Sequence, residues 1–335
     1  GRRVQLIGEG WNFGEVADGA RFVQASQLSL AGSGIGTFSD RARDAVRGGS
    51  PGDNDLRQVQ QQGYVNGLVY DPNPHAPSGL GVDALRQAAD LVRVGLAGSL
   101  RDYRMTARDG RELALSAIDY NGQPAGYVTQ PGEVVNYVEN HDNQTLFDVN
   151  VFKLPPTTSR EDRARVQVLA LAINAFSQGI AYFHAGGELL RSKSMDRNSF
   201  DSGDWFNRID WTARDNYFGT GLPPQPDNGA SWSLMRPLLA DARIKPTAAE
   251  IAWTREAFLD LLRIRASSTL FRLRGAADVA ARLEFPNTGP AQLATVLVGH
   301  LDGSSYDGAN FRELLYFVNV DKITRTLELT AQRGK

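Results

Sequence analysis

The chain has 335 residues, 41% of them hydrophobic and none of them cysteine, with a formal net charge of -2 and a pI near 6.2. That length can bury a large core and hold one big domain with part of another. The near-neutral charge gives no field to gather nucleic acid or an anionic membrane, and the lack of cysteine removes disulfides, thiol catalysis and thiolate-bound metals. No apolar run reaches the roughly 20 residues of a bilayer span, so a neutral polymer is the partner that composition leaves open.

The first predicted element is an apolar strand at residues 4–8 that ends on a carboxylate, Gly8-Glu9-Gly10-Trp11. Further strands are expected at 25–30, 134–138 and 180–184, and helices at 40–47, 82–97 and 161–178 alternate with them. Such alternation is the pattern of a parallel α/β architecture. The helix at 82–97 shows Leu85, Ala88, Ala89, Val92 and Leu96 on one face; the helix at 161–178 shows Val166, Leu169, Ala170, Ile173 and Phe176, with Thr158 or Ser159 as its cap. A last amphipathic helix runs over about 248–266. The strand at 134–138 leads into Glu139-Asn140-His141-Asp142-Asn143, a second carboxylate just past a strand end. Catalytic groups of a (β/α)8 barrel come from the C-terminal ends of several strands, and strand-end acids beside an aromatic ring or a histidine suit sugar cleavage. Four strands with their helices make half of such a barrel. The first strand has no partner before it, so the chain reads as incomplete. Its open edges are expected to dimerise, aggregate or recruit a missing half. After Ser268 short β-rich segments at 279–285, 293–301, 314–320 and 327–329, separated by turns, predict an antiparallel sandwich. The expected division is 1–267 for the half barrel and 268–335 for a β domain cut short.

Many segments taken in order resemble the pullulanase-type starch debranching enzymes of the α-amylase superfamily, glycoside hydrolase family 13. They include Gly8-Glu9-Gly10-Trp11, Gly34-Ile35-Gly36-Thr37-Phe38-Ser39-Asp40-Arg41, His141-Asp142-Asn143-Gln144-Thr145-Leu146, Leu189-Leu190-Arg191-Ser192-Lys193-Ser194 and Gly203-Asp204-Trp205-Phe206-Asn207-Arg208. The resemblance covers nearly the whole chain. It implies about strands five to eight of the barrel and the start of the C-terminal β domain, acting on branched α-glucans such as pullulan, limit dextrin or glycogen. The lack of cysteine is compatible with cytoplasm or with export, and a secreted or periplasmic location is expected over a cytoplasmic one.

The resemblance gives Glu9 the part of general acid/base, which must hold a proton near neutral pH and for which Trp11 offers an apolar wall. Asp142 takes the part of the carboxylate that stabilises the oxocarbenium-like transition state, with His141 donating hydrogen bonds to the same sugar. Trp11 and Asn143 join the substrate-binding set, and Asp204 with Arg208 resembles the pair that grips a sugar beyond the cleavage point. Read without the family, Asn-His-Asp-Asn is also ordinary turn chemistry, and Asp204 with Arg208 an ordinary scaffolding ion pair. No cofactor is required and no metal is expected. Calcium finds no support, because no Asp/Asn spacing here matches a calcium loop.

One departure stands out. The nucleophile of these enzymes is an Asp in a Gly-Phe-Arg-Phe-Asp type segment on the preceding strand, and no such segment occurs in this chain. A retaining mechanism needs two carboxylates about 5–5.5 Å apart, so the isolated chain is expected to be inactive while a longer parent is the enzyme. The alternative is a non-catalytic glucan-binding module built from the same residues.

Overall fold

In the computed structural model, which describes residues 4–329, regular structure opens with β1 (Ile7–Gly8), β2 (Gly36–Phe38), α1 (Asp40–Arg47), α2 (Leu56–Gln60) and α3 (Val82–Leu96). Two hairpins follow, β3 (Arg104–Thr106) with β4 (Glu112–Ala114) and β5 (Asp119–Tyr120) with β6 (Gln123–Pro124). Next come β7 (Val134–Asn136), α4 (Leu146–Lys153), α5 (Arg160–Phe176) and β8 (Ile180–Ala181). The short helices α6 (Asp204–Asn207), α7 (Gln225–Asn228) and α8 (Trp232–Ala240) lead to the long α9 (Ala248–Ser267) and to α10 (Ala276–Arg282). The strands β9 (Leu283–Glu284), β10 (Val296–Asp302) and β11 (Glu313–Asn319) close the described chain.

β1, β2, β7 and β8 form one sheet in chain order, and every neighbouring pair is parallel. Gly36 allows the close approach this needs, since a Cβ there would meet the Ile7 side chain at 3.2 Å and the Gly132 carbonyl at 3.3 Å. Side-chain caps start the two long helices α5 and α9. The Ser159 hydroxyl accepts the Asp162 N–H at 3.1 Å to start α5, and Thr247 with Glu250 forms a capping box at α9. α3 and α5 bury Leu85, Val92, Leu96, Ala170 and Ile173 in a core that runs without a break into Leu297, Leu301, Tyr316 and Val318 of the antiparallel sheet β9-β10-β11. A second cluster gathers Phe147, Phe152, Leu190, Met195, Phe218 and Ile251 around α4 and α9.

Several sequence expectations are corrected. Residues 25–30 are a turn, not a strand. The Ser29 hydroxyl bonds back to Gln24 and Ser26, and the Leu30 N–H reaches the Ser26 carbonyl at 3.0 Å, so serine side chains offer the backbone a local alternative to a ladder. The strand that takes this place in the sheet is β2. The segment expected as strand over 279–285 is mostly α10, started where the Asp278 carboxylate accepts the Gly275 N–H at 3.2 Å; only β9 remains extended. The strand expected at 180–184 stops at Ala181, and 327–329 holds no regular strand. No described helix is long and apolar enough to cross a membrane.

Candidate functional site

Parallel strands all end on the same edge of their sheet, so the loops after β1 and β7 meet there although the sequence separates them widely. β1 hands directly to Glu9. The chain after β7 curls at Asn140, whose side-chain oxygen accepts the Asp142 N–H at 3.0 Å, and Asn143 sits at φ 60°. The turn chemistry of Asn-His-Asp-Asn is thus present, and it holds these candidate residues at the strand end, so it does not compete with the site reading. His141 Nε2 stands 3.7 Å from Glu9 Oε1 and 3.5 Å from Asp142 Oδ2. The ligand atoms of these three residues all lie within 4.8 Å of one another, the only such group of three found among the described residues. They are near enough to share a cation, but all three are exposed.

The Glu9 side chain is 47% exposed, and the Arg43 guanidinium lies 5.9 Å from the centroid of the Trp11 ring. Support for the loop comes from below. Lys193 Nζ donates to the His141 carbonyl at 3.0 Å, while the Lys193 N–H and the Ser192 hydroxyl donate to the Asp148 carboxylate at 2.8 and 2.5 Å. Burial acts on both charged groups, pushing the Asp148 carboxyl up to about 6 and the Lys193 ammonium down to about 8.

Trp11, Asp142 and Asn143 line a cleft of about 910 Å³. Its other walls hold residues to which the sequence reading gave no role, among them Asp40, Arg43, Asp44, Tyr120, Tyr137 and Arg197. Arg43 bonds the Tyr137 hydroxyl and donates to Asp44 Oδ1 at 2.7 Å, and the Tyr120 hydroxyl donates to Asp44 Oδ2 at 2.6 Å. Burial alone would weaken the Arg43 charge, but Asp44 and Tyr137 outweigh it and keep the guanidinium fully ionised. A signal was available: α1 buries Arg41, Arg43 and Arg47, and charge on an inward helix face must be paired, which marks a polar wall.

Asp204 and Arg208 lie apart from this cleft. Arg208 does not fork onto Asp204. Its guanidinium lies 4.1 Å from the Trp205 ring centroid and 3.9 Å from that of Tyr217, and only its backbone N–H reaches the Asp204 carbonyl, at 3.0 Å. Stacking between two rings suits a planar cation, and a short helix that opens on Asp204 leaves that carboxylate in solvent. His184, given no catalytic part from sequence, is mostly buried with Nδ1 4.0 Å from Glu139 Oε2.

Parallel strands with acids, a histidine and aromatic rings gathered past their C-terminal ends place the chain among α/β proteins with a polar, carboxylate-bearing cleft. Comparison with known proteins narrows that class. Residues 213–335 match the family described as alpha-1,6-glucosidases, pullulanase-type, C-terminal. The chain is 46% identical over 301 residues to pullulanase 1, chloroplastic, of Arabidopsis thaliana, and 41% identical over 328 residues to a pullulanase of Klebsiella pneumoniae; 89% and 97% of the chain are covered. It superimposes on the crystal structure of apo pullulanase from Klebsiella pneumoniae with a TM-score of 0.91 over 96% of its length, at 41% identity. On a pullulanase of the same organism complexed with maltotriose the TM-score is 0.89 over 95%. Residues 213–335 thus belong to the pullulanase-type C-terminal family, and the chain spans about a third of the length of these curated relatives, 31% and 30%.

Proposed function

We propose that these residues serve a retaining glycoside hydrolase that cleaves α-1,6-glucosidic branch linkages in pullulan, starch or glycogen-derived dextrins. The observation that carries this reading is the meeting of Glu9, His141 and Asp142 within 4.8 Å at the ends of two parallel strands, in a chain whose residues 213–335 belong to this family. Glu9 protonates the departing glycosidic oxygen and later takes a proton from water. Asp142 faces the positive charge that grows on the sugar ring, and His141 donates a hydrogen bond beside it. Trp11 and Asn143 hold sugar in the cleft, with Asp204 and Arg208 binding further along the glucan.

In this reading the four-stranded sheet is the C-terminal half of a (β/α)8 barrel, residues 1–267, followed by an antiparallel β domain over 268–335. The other half docks on β1, where Val4 is 83% and Leu6 59% exposed. The nucleophile is a carboxylate outside these residues, on the strand that precedes β1 in the complete barrel. The 335-residue chain alone therefore hydrolyses nothing at an appreciable rate. One observation favours a second assignment: Glu9 and Asp142 are themselves within the short carboxylate spacing, about 5–5.5 Å, of a retaining pair, which would make Asp142 the nucleophile. Release of reducing sugar from pullulan, with linear amylose as control, separates these readings. Activity in the full-length protein and none in the 335-residue chain is expected. Pullulan-selective release by the short chain would transfer the nucleophile role to Asp142, and no release by either would overturn the debranching function.

A further inference from the structure

A second cleft, of about 600 Å³, lies beside the first and shares Asp44, Ser50, Tyr120 and Asn121 with it. Both volumes fall in the range of roughly 300–1,000 Å³ typical of sites that enclose small ligands. The shared waist is built from groups already fixed in place. Asp44 is held by Arg43 at 2.7 Å and by Tyr120 at 2.6 Å, and Asn121, at φ 51°, opens the turn between β5 and β6. The second cleft thus continues the first on a rigid rim.

Its lining combines amides and apolar surface with the carboxylates of Asp44, Asp53 and Asp119. Ala84, Gln87, Ala88 and Leu91 come from one face of α3, and Leu80, 43% exposed, stands just before that helix. Gln60 closes α2 on the same cleft. Among the described residues the side chains of Gln60, Gln87 and Asn121 find no hydrogen-bond partner, whereas the neighbouring Gln62 is fully engaged with Asn66, Asp71 and Asn73. Unspent amides beside Leu80 and Leu91 match the two surfaces of a glucopyranose, a hydroxyl edge and an apolar face. Among the described residues no cationic side chain lines the cleft, and Asp44, Asp53 and Asp119 do, which disfavours a phosphorylated or carboxylated ligand.

We infer that this second cleft binds one arm of a branched α-glucan where it leaves the cleavage site. The inference rests on the debranching function proposed above. A branch point carries two chains, and a cleft that continues the one lined by Trp11, Asp142 and Asn143 gives the second chain a bound path. Gln60, Gln87 and Asn121 donate to and accept from its hydroxyls, and Leu80 and Leu91 cover its apolar face.

The test uses the full-length protein carrying Gln60→Ala with Gln87→Ala, and separately Gln87→Trp, which fills the cleft from the exposed face of α3. KM is measured for two singly branched dextrins that differ only in the length of the chain bearing the branch. Losing neutral hydrogen bonds should raise the ratio of long-chain to short-chain KM about five- to tenfold in both variants. An unchanged ratio in both overturns the inference. If no form cuts an α-1,6 linkage, the debranching function is what fails, and calorimetric binding of a linear maltooligosaccharide to the same proteins then decides the cleft. Weaker binding in the variants supports it, and equal binding overturns it.

Discussion

Lys153 closes α4 with its residue only 4% exposed, and its ammonium donates to the Gln61 carbonyl at 2.6 Å. Burial foremost, with the nearby Arg47 charge, lowers it from 10.5 to about 7, against smaller opposing contributions from Asp53 and Asp44. Between those values the unfolded chain keeps a proton that the folded chain sheds, so stability rises with pH from 7 to 10.5. At 1.36 kcal/mol for each factor of ten, holding the charge inside costs about 5 kcal/mol at pH 6, of which about 2 kcal/mol remains at pH 9. Lys153→Met removes that cost at similar volume but strands the Gln61 carbonyl, a loss of about 1–3 kcal/mol. The variant should then be about 2–4 kcal/mol more stable than the parent at pH 6 and near parity at pH 9. Urea unfolding followed by tryptophan fluorescence at the two pH values, with unchanged m, reads the difference directly. Parallel curves, with the variant shifted by the same amount at both values, would refute a buried, titrating Lys153.

Glu9→Gln in the full-length protein should lower kcat on pullulan by about 10²–10⁴, the usual share of general acid/base catalysis, and a loss below tenfold in steady-state assays would remove Glu9 from that role. Arg208→Lys keeps the charge but loses the planar stack between Trp205 and Tyr217; thermal unfolding should show a loss of about 1–2 kcal/mol, and no change would mean the rings do not hold the cation. At Gly95 an added Cβ would lie 2.4 Å from the Ala42 Cβ, so Gly95→Ala should force α3 away from α1 and cost about 1–3 kcal/mol in chemical denaturation despite alanine's better helix propensity. A stabilised Gly95→Ala variant would contradict the tight α1–α3 packing.

Local signals carried much of this chain. The apolar stripes of residues 82–97 and 161–178, the cap at Ser159, and the strand-end acids Glu9 and Asp142 were all readable because each depends on spacing over a single turn or strand. Residues 25–30 misled for a local reason too: alternating Leu and Ser mimic a strand, while serine hydroxyls bonding back along the chain make a turn. Residues 279–285 failed because Val279 and Leu283 fit a strand pattern equally well, and only the Asp278 contact at Gly275 selects a helix. The scaffolding ion pair weighed for Asp204 and Arg208 does not form, because aromatic faces, one of them contributed by Tyr217, take the guanidinium.

By itself the sequence determined the family, the parallel α/β order and the chemical types at the site, since these follow from motifs and from periodicity along the chain. Only the tertiary structure decided which distant groups share space. It brought His141 to Glu9, set Lys193 and Asp148 beneath that loop, turned Arg43 of α1 into a cleft wall and joined a second cleft to the first. Such proximities arise from strands aligned in one sheet and helices packed across it, and no local pattern in the chain encodes a distance between residues that meet only after folding.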